Sequence, residues 1–340
     1  MSRFYIGFDM RSPDFGAPTP TLYGAALEMA AYADAHGVDY AVLMEHHGSP
    51  DGYLPAPLTL AAAIAARTSR MRILLGAIVL PLHDPVNIAE QMVVVDQLSN
   101  GRLDVVFGAG YVPSEFRMFN VNIKERGKIL DETLPIILRA LSGERFVANG
   151  REIFVRPPPV QKPHPRIFVG GGVPATARRA AGLGLGLFPL GPQIVPLYLE
   201  ECARLGREPG PVLIQSSWMH VTEDPERAWS ILAPHMIHVA RSYAEYAEEA
   251  GWTASPFAGV DTLAKVKSCG MFLVVTPDEC VKFAQDAHRA GTDPGLMPLV
   301  GGLEPRIGWE SLELFVSKVL PKFGRAAIGT TENTDVLSDH

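Results

Sequence analysis

Residues 45–47 read Glu-His-His and close a short apolar run, AVLM, with the composition of a buried strand. A carboxylate and two imidazoles at a strand end can move protons near neutral pH, where imidazole titrates. Neighbouring residues of an extended chain point to opposite sides, so one of His46 and His47 faces the strand-end site and the other packs elsewhere. The bland alternative is a polar cap on a loop, and these residues alone leave both readings open. A metal centre is the weaker reading, because no third ligand follows at metal-site spacing. His235 and His238, three apart in a helical stretch, suit solvent or lid packing better than ligation.

Glycine groups supply the second kind of chemistry, the close approach of backbone to a ligand. Gly76-Ala77 interrupts the bulky run LLGAIVL, and glycine inside a buried strand marks a bulge, a ligand or tight packing. Gly108-Ala109-Gly110-Tyr111 ends a later strand, where missing side chains let a flat molecule come near. Gly170-Gly171-Gly172-Val173-Pro174 leads onto a helix carrying Thr176, Arg178 and Arg179. A glycine-rich turn onto a helix N-terminus is a ready anion site. It is no dinucleotide fingerprint, since the G-x-G-x-x-G spacing fails and no acidic residue follows at ribose distance. Walker A and G-x-S-x-G motifs are also absent from the sequence.

These groups need elements to hold them. Apolar strand-like runs over residues 4–8, 40–44, 72–80, 103–107, 166–169, 185–188, 212–221 and 296–300 alternate with helical patterns. The helices are expected over 21–36, 57–68, 86–98, 124–141, 175–181, 196–205, 225–250, 260–269, 277–290 and 309–320. A small hairpin around Asn149-Gly150 spans 145–155, and the proline-dense 157–165 reads as a surface crossing inside one domain. Eight strands each followed by helix predict a (β/α)8 TIM barrel, with catalytic residues at the C-terminal ends of the strands. Residues 231–269 are surplus to that plan and form a helical insertion after strand seven, a lid or substrate wall. One domain is expected over 1–325, with 326–340 as a flexible tail.

The 340 residues carry 30 Lys and Arg against 37 Asp and Glu, a net charge of −7. That balance argues against nucleic acid or an anionic membrane as partner. No apolar run approaches the ~20 residues of a membrane span, and residues 1–6 begin on a strand pattern and not on a leader, so a cytoplasmic protein is expected. Cys202, Cys269 and Cys280 are odd in number and far apart, which suggests neither disulfides nor zinc.

Taken in order, AVLMEHH, LLGAIVLPLHDPVNIAEQMVVVDQLSNGRLDVVFGAGYVPSEF, PPVQKPHPRIFVGGG and the closing LVGG resemble the bacterial luciferase-like flavin-dependent monooxygenase superfamily. The resemblance runs from about residue 4 to residue 323 and thins through the insertion. It implies a TIM barrel, reduced FMN as cofactor, and oxygenation of a small hydrophobic substrate through a flavin 4a-hydroperoxide. It makes His46 the catalytic residue at the reactive edge of the flavin, with Glu45 beside it among the cofactor-binding residues. Gly76 and Ala77 fall where the family has a non-proline cis peptide under the isoalloxazine ring, with Gly108 and Gly110 on the neighbouring strand end. Arg126, Gly171, Gly172, Val173 and Thr176 match the phosphate site. Ala109 stands where bacterial luciferase has a second arginine, which argues against light emission. A separate flavin reductase and a homodimer are expected. The alternatives are a coenzyme F-420-dependent hydride transfer without O2 and, outside catalysis, a flavin-binding protein.

Overall fold

The computed structural model describes residues 3–253 and 255–325. It opens with β1 (Tyr5–Phe8), α1 (Thr19–Ala35), β2 (Tyr40–Leu43), α2 (Pro57–Arg67), β3 (Arg72–Val79) and α3 (Pro85–Leu98). β4 (Leu103–Gly108), the short α4 (Pro113–Met118) and α5 (Arg126–Leu141) follow, and then a hairpin of β5 (Phe146–Ala148) and β6 (Arg151–Ile153). The βα rhythm resumes with β7 (Arg166–Gly171), α6 (Pro174–Leu183), β8 (Gly186–Pro189), α7 (Val195–Arg204) and β9 (Gln215–Val221). The C-terminal part is α8 (Pro225–Glu249), α9 (Leu263–Ser268), β10 (Phe272–Val275), α10 (Pro277–Arg289), β11 (Asp293–Leu296) and α11 (Pro305–Leu314).

Nine strands pair in parallel in the order β10-β9-β11-β1-β2-β3-β4-β7-β8. A parallel bridge from Leu187 to Val212 ties β8 to the segment that leads into β9. The fold is that of the (β/α)8 barrel, with its helices on the outside. Every residue of β1 and β2 is buried, as strands covered by helices and barrel interior require. At the N-terminal ends of the strands Asp104 accepts from Arg72 Nε at 2.8 Å and Arg166 Nε at 2.9 Å. This buried carboxylate pins the register of β3, β4 and β7, leaving their opposite ends to present the site. No helix among the described residues is long and apolar enough to cross a membrane.

Three expectations change. The strand predicted at 296–300 lies earlier, at Asp293–Leu296, because Pro294 and Gly295 read as a turn but start a strand. Gly295 is needed there, since a Cβ would sit 2.3 Å from the Tyr5 ring. A ninth strand, β10, pairs with β9 in the gap between the helices expected over 260–269 and 277–290, where no strand was foreseen. The helix α8 runs unbroken from Pro225, so residue 231 marks no boundary for an insertion. The expected tail, 326–340, lies outside the described residues.

Candidate active site

His46 leaves the end of β2 and meets a carboxylate from the β4 exit, two strands away. Its Nδ1 lies 2.7 Å from Glu115 Oε1, and the same oxygen accepts the His47 backbone N–H at 3.0 Å. Glu115 sits on α4 and is 2% exposed. An ionised carboxylate only accepts, so Nδ1 carries the hydrogen and Nε2 is the proton-accepting nitrogen of the neutral ring. Around that ring stand four tyrosines. Tyr246 of α8 stacks on it at 4.8 Å, and Tyr53, Tyr243 and Tyr111 meet it edge-on at 4.7, 5.9 and 6.0 Å.

His47 turns the other way, as an extended segment requires. Its Nε2 lies 3.2 Å from Glu45 Oε1, and His83 Nε2 lies 2.7 Å from the same oxygen. The other Glu45 oxygen accepts the Val79 N–H at the end of β3. Burial alone would raise the Glu45 carboxyl, but His47, His83 and the Val79 N–H hold it down at about 2. Glu45 therefore braces β2 against β3. His83 supplies the third candidate ligand that sequence spacing did not reveal, and the trio's ligand atoms lie within 4.8 Å of one another. The carboxylate accepts from the Val79 N–H and meets the His83 imidazole, whereas His47 Nε2 makes no hydrogen bond among the described residues.

Beside this brace runs a shelf with almost no side chains. The Gly76–Ala77 peptide is cis, and the β3–β4 register shifts between Gly76 and Ile78. Gly76, Ala77, Gly108, Ala109, Gly110, Gly170, Gly171 and Gly172 are all half-buried, so the ends of three adjacent strands expose backbone. A Cβ on Gly108 would lie 3.5 Å from Ala77, and one on Gly170 would lie 2.7 Å from Val106. Gly110 has a further reason to be glycine, because its φ is +70° and Phe116 crowds it.

At the rim, Gly171 has φ +144°, and a Cβ there would strike Thr176 Oγ1 at 2.7 Å. Thr176 is buried in the first turn of α6, and its N–H donates to Val173 O at 2.9 Å. Val173 is exposed. Arg126 opens α5, half-buried, with Nη1 on Ile123 O at 2.9 Å. Arg179 of α6 reaches Asp131 Oδ1 at 2.6 Å and Gly127 O at 3.4 Å, a long side chain that ties α6 to the first half of α5. Gly171, Gly172, Val173 and Thr176 of the expected anion site lie around the start of α6, and Arg126 lies at the start of α5.

Sequence reasoning missed Glu115, Arg11, Asp9 and Asp51. Arg11 is 0% exposed, donates to Asp51 Oδ2 through Nη1, and stands over Tyr53. His238 Nε2 lies 2.7 Å from the same Asp51 oxygen, and His235 Nδ1 lies 2.8 Å from Gly301 O. Charge immediately after the first strand, Asp9-Met10-Arg11, was the available signal.

The luciferase-like monooxygenase family model matches residues 10–293. The chain belongs to that family. Members of the luciferase-like monooxygenases are oxidoreductases, and so is this enzyme. It is 25% identical to 4-hydroxyprotoasukamycin monooxygenase of Streptomyces nodosus subsp. asukaensis, over 90% of this chain and 88% of that one. A 34% match to the uncharacterized protein y4vJ of Sinorhizobium fredii spans 48% of each chain, about half the length of that relative. The crystal structure of monooxygenase RslO1 from Streptomyces bottropensis superposes with TM-score 0.75 at 26% identity, covering 94% of this chain and 99% of the other. Two further matches widen the comparison. The oxygenase component of flavin-dependent trigonelline monooxygenase from Acinetobacter baylyi is 28% identical over 54% of this chain and 52% of its own. The F420-dependent tetrahydromethanopterin reductase of Methanopyrus kandleri shares the fold, with TM-score 0.67 at 15% identity over 95% of this chain and 99% of its own.

Proposed function

We propose that this chain is the oxygenase component of an FMN-dependent monooxygenase fed by a separate flavin reductase. The observation that carries the reading is His46, held by Glu115 among aromatic rings, next to a side-chain-free shelf on β3, β4 and β7. That shelf suits a flat tricyclic ring, and the glycine-rich start of α6, with Arg126 of α5, suits its phosphate. Arg126, Gly171, Gly172, Val173 and Thr176 would hold the phosphate, while Gly76, Ala77, Gly108 and Gly110 would lie along the ring. Bound in reduced form, FMN would supply the electrons that activate O2.

The chain's own residues then do three things. Glu115 fixes the His46 tautomer, so that Nε2 accepts or returns a proton at one defined atom. Glu45 fixes the β3 exit through the Val79 N–H, and with it the height of the shelf. Tyr246, Tyr243, Trp252 and Phe257, carried by α8 and the segment after it, close over the mouth and exclude water. The absence of a dinucleotide fingerprint in the sequence and the oxygenase-component relative both support reduction elsewhere.

The deazaflavin alternative shares the fold and differs in whether O2 is used. Purified protein titrated anaerobically with reduced FMN and with reduced F-420, then exposed to O2, separates them. FMN retention with oxygen uptake is expected. Retention of F-420 alone, with no oxygen uptake, would replace oxygenation by hydride transfer.

A further inference from the structure

Arg11 follows β1 by three residues, at the strand-end face that also carries His46. Among the described residues Nη1 is the one guanidinium nitrogen that makes a hydrogen bond, and the Asp51 oxygen it meets also lies 2.7 Å from His238 Nε2. Nε lies 3.9 Å from Asp9 Oδ2, beyond hydrogen-bond reach. Neither Nε nor Nη2 has a hydrogen-bond partner among the described residues. Those two nitrogens form the outer edge of the guanidinium, a pair of parallel N–H donors that matches the two oxygens of a carboxylate. Leaving such an edge open in a fully buried cation is unfavourable unless something accepts from it.

The flat face of the same cation is already committed. Its Cζ stands 4.2 Å from the Tyr53 ring and 5.4 Å from Tyr243, and both rings also border His46. Arg11 and His46 therefore share one aromatic enclosure. Stacked pairs extend it: Trp252 on Tyr111 at 4.5 Å and Phe257 on Tyr243 at 5.2 Å.

We propose that the substrate is a flat, unsaturated carboxylic acid whose carboxylate docks on Arg11 Nε and Nη2 while its conjugated frame lies among the tyrosines beside His46. The inference rests on the monooxygenase reading and narrows the hydrophobic substrate expected there to one with a charged end. Asp9 is the competing acceptor in the fold. Burial pushes its carboxyl up to about 6 against the pull of Arg11 and the Gly301 N–H, so it holds its charge less firmly than an exposed carboxylate.

The test uses a matched pair of probes, 2-naphthoate and 2-naphthamide, which share a frame and differ in charge. Binding to the FMN-reconstituted protein is followed by quenching of tryptophan fluorescence, for the wild type, Arg11→Met and Arg11→Lys. The wild type should bind the acid about tenfold or more tightly than the amide, the reach of a charge-assisted pair. Arg11→Met should lose that preference, and Arg11→Lys, which keeps charge without the fork, should keep only part of it. Equal binding of the pair, binding of neither, or a preference that survives in Arg11→Met would overturn the proposal. If Arg11→Met does not fold, Arg11→Lys and the wild-type acid-to-amide ratio still decide. FMN titration of the same samples separates the two claims: an acid preference without FMN binding would remove the flavin reading and leave the fork standing.

Discussion

At the scale of single residues, the two adjacent histidines are divided by their carboxylates. Glu115 takes His46 Nδ1 and leaves Nε2 as the free ring nitrogen of the proposed site, whereas Glu45 gathers His47 and His83 into a brace. His46→Ala should therefore leave FMN affinity within a few fold while lowering turnover by roughly 10²–10⁴, the reach of a general acid–base group. His47→Ala should lower thermal stability and leave turnover per bound flavin close to wild type. Glu115→Gln should cut turnover less than His46→Ala, and the ¹⁵N shifts of the His46 ring should show loss of the pure Nδ1–H tautomer. A larger turnover loss for His47→Ala than for His46→Ala would reverse the assignment. Sequence alone exposed the histidines because Glu-His-His is one contiguous run. Glu115 lies 69 positions from His46 and was visible only as one acidic residue after a glycine turn.

Among the elements, those whose signals are local were legible. The hairpin forms around Asn149-Gly150 with φ of +51° and +71°, and the Gly76–Ala77 peptide is cis in the strand expected to hold it. Elements whose signals conflict were not. Pro294-Gly295 has turn composition yet starts β11, because the close Tyr5 ring leaves room only for glycine. One consequence of strand packing is a pH dependence. His220 of β9 is 4% exposed, its Nδ1 is unpartnered among the described residues, and burial pushes its pKa down to about 4. A depressed folded-state pKa means the neutral form is the one that folds best. Stability is complete above the unfolded value near 6.5 and declines as pH falls toward 4, by roughly 3 kcal/mol at most. Urea unfolding of wild type and His220→Gln between pH 7.5 and 4 checks it: the variant should start less stable and lose less over that window. Parallel losses would assign the acid sensitivity to other groups.

Across the whole molecule, the barrel and its family were readable because the βα rhythm and the strand-end glycines recur along much of the chain. The mouth was not, because it is assembled from distant pieces. Asp51 meets His238 across 187 positions, and Tyr53 OH meets Tyr243 OH at 2.8 Å across 190. Only the folding of α8 over the strand ends makes those contacts. The central claim, FMN with its ring on the Gly76–Ala77 shelf and its phosphate between α5 and α6, is tested most directly by one titration. Wild type and Arg126→Ala are each titrated with FMN and with riboflavin, which lacks the phosphate. The account predicts that wild type prefers FMN, that Arg126→Ala weakens FMN by about 1.5–3 kcal/mol, and that riboflavin hardly changes. Equal affinity of wild type for the two flavins, or an equal loss of both in the variant, would contradict it.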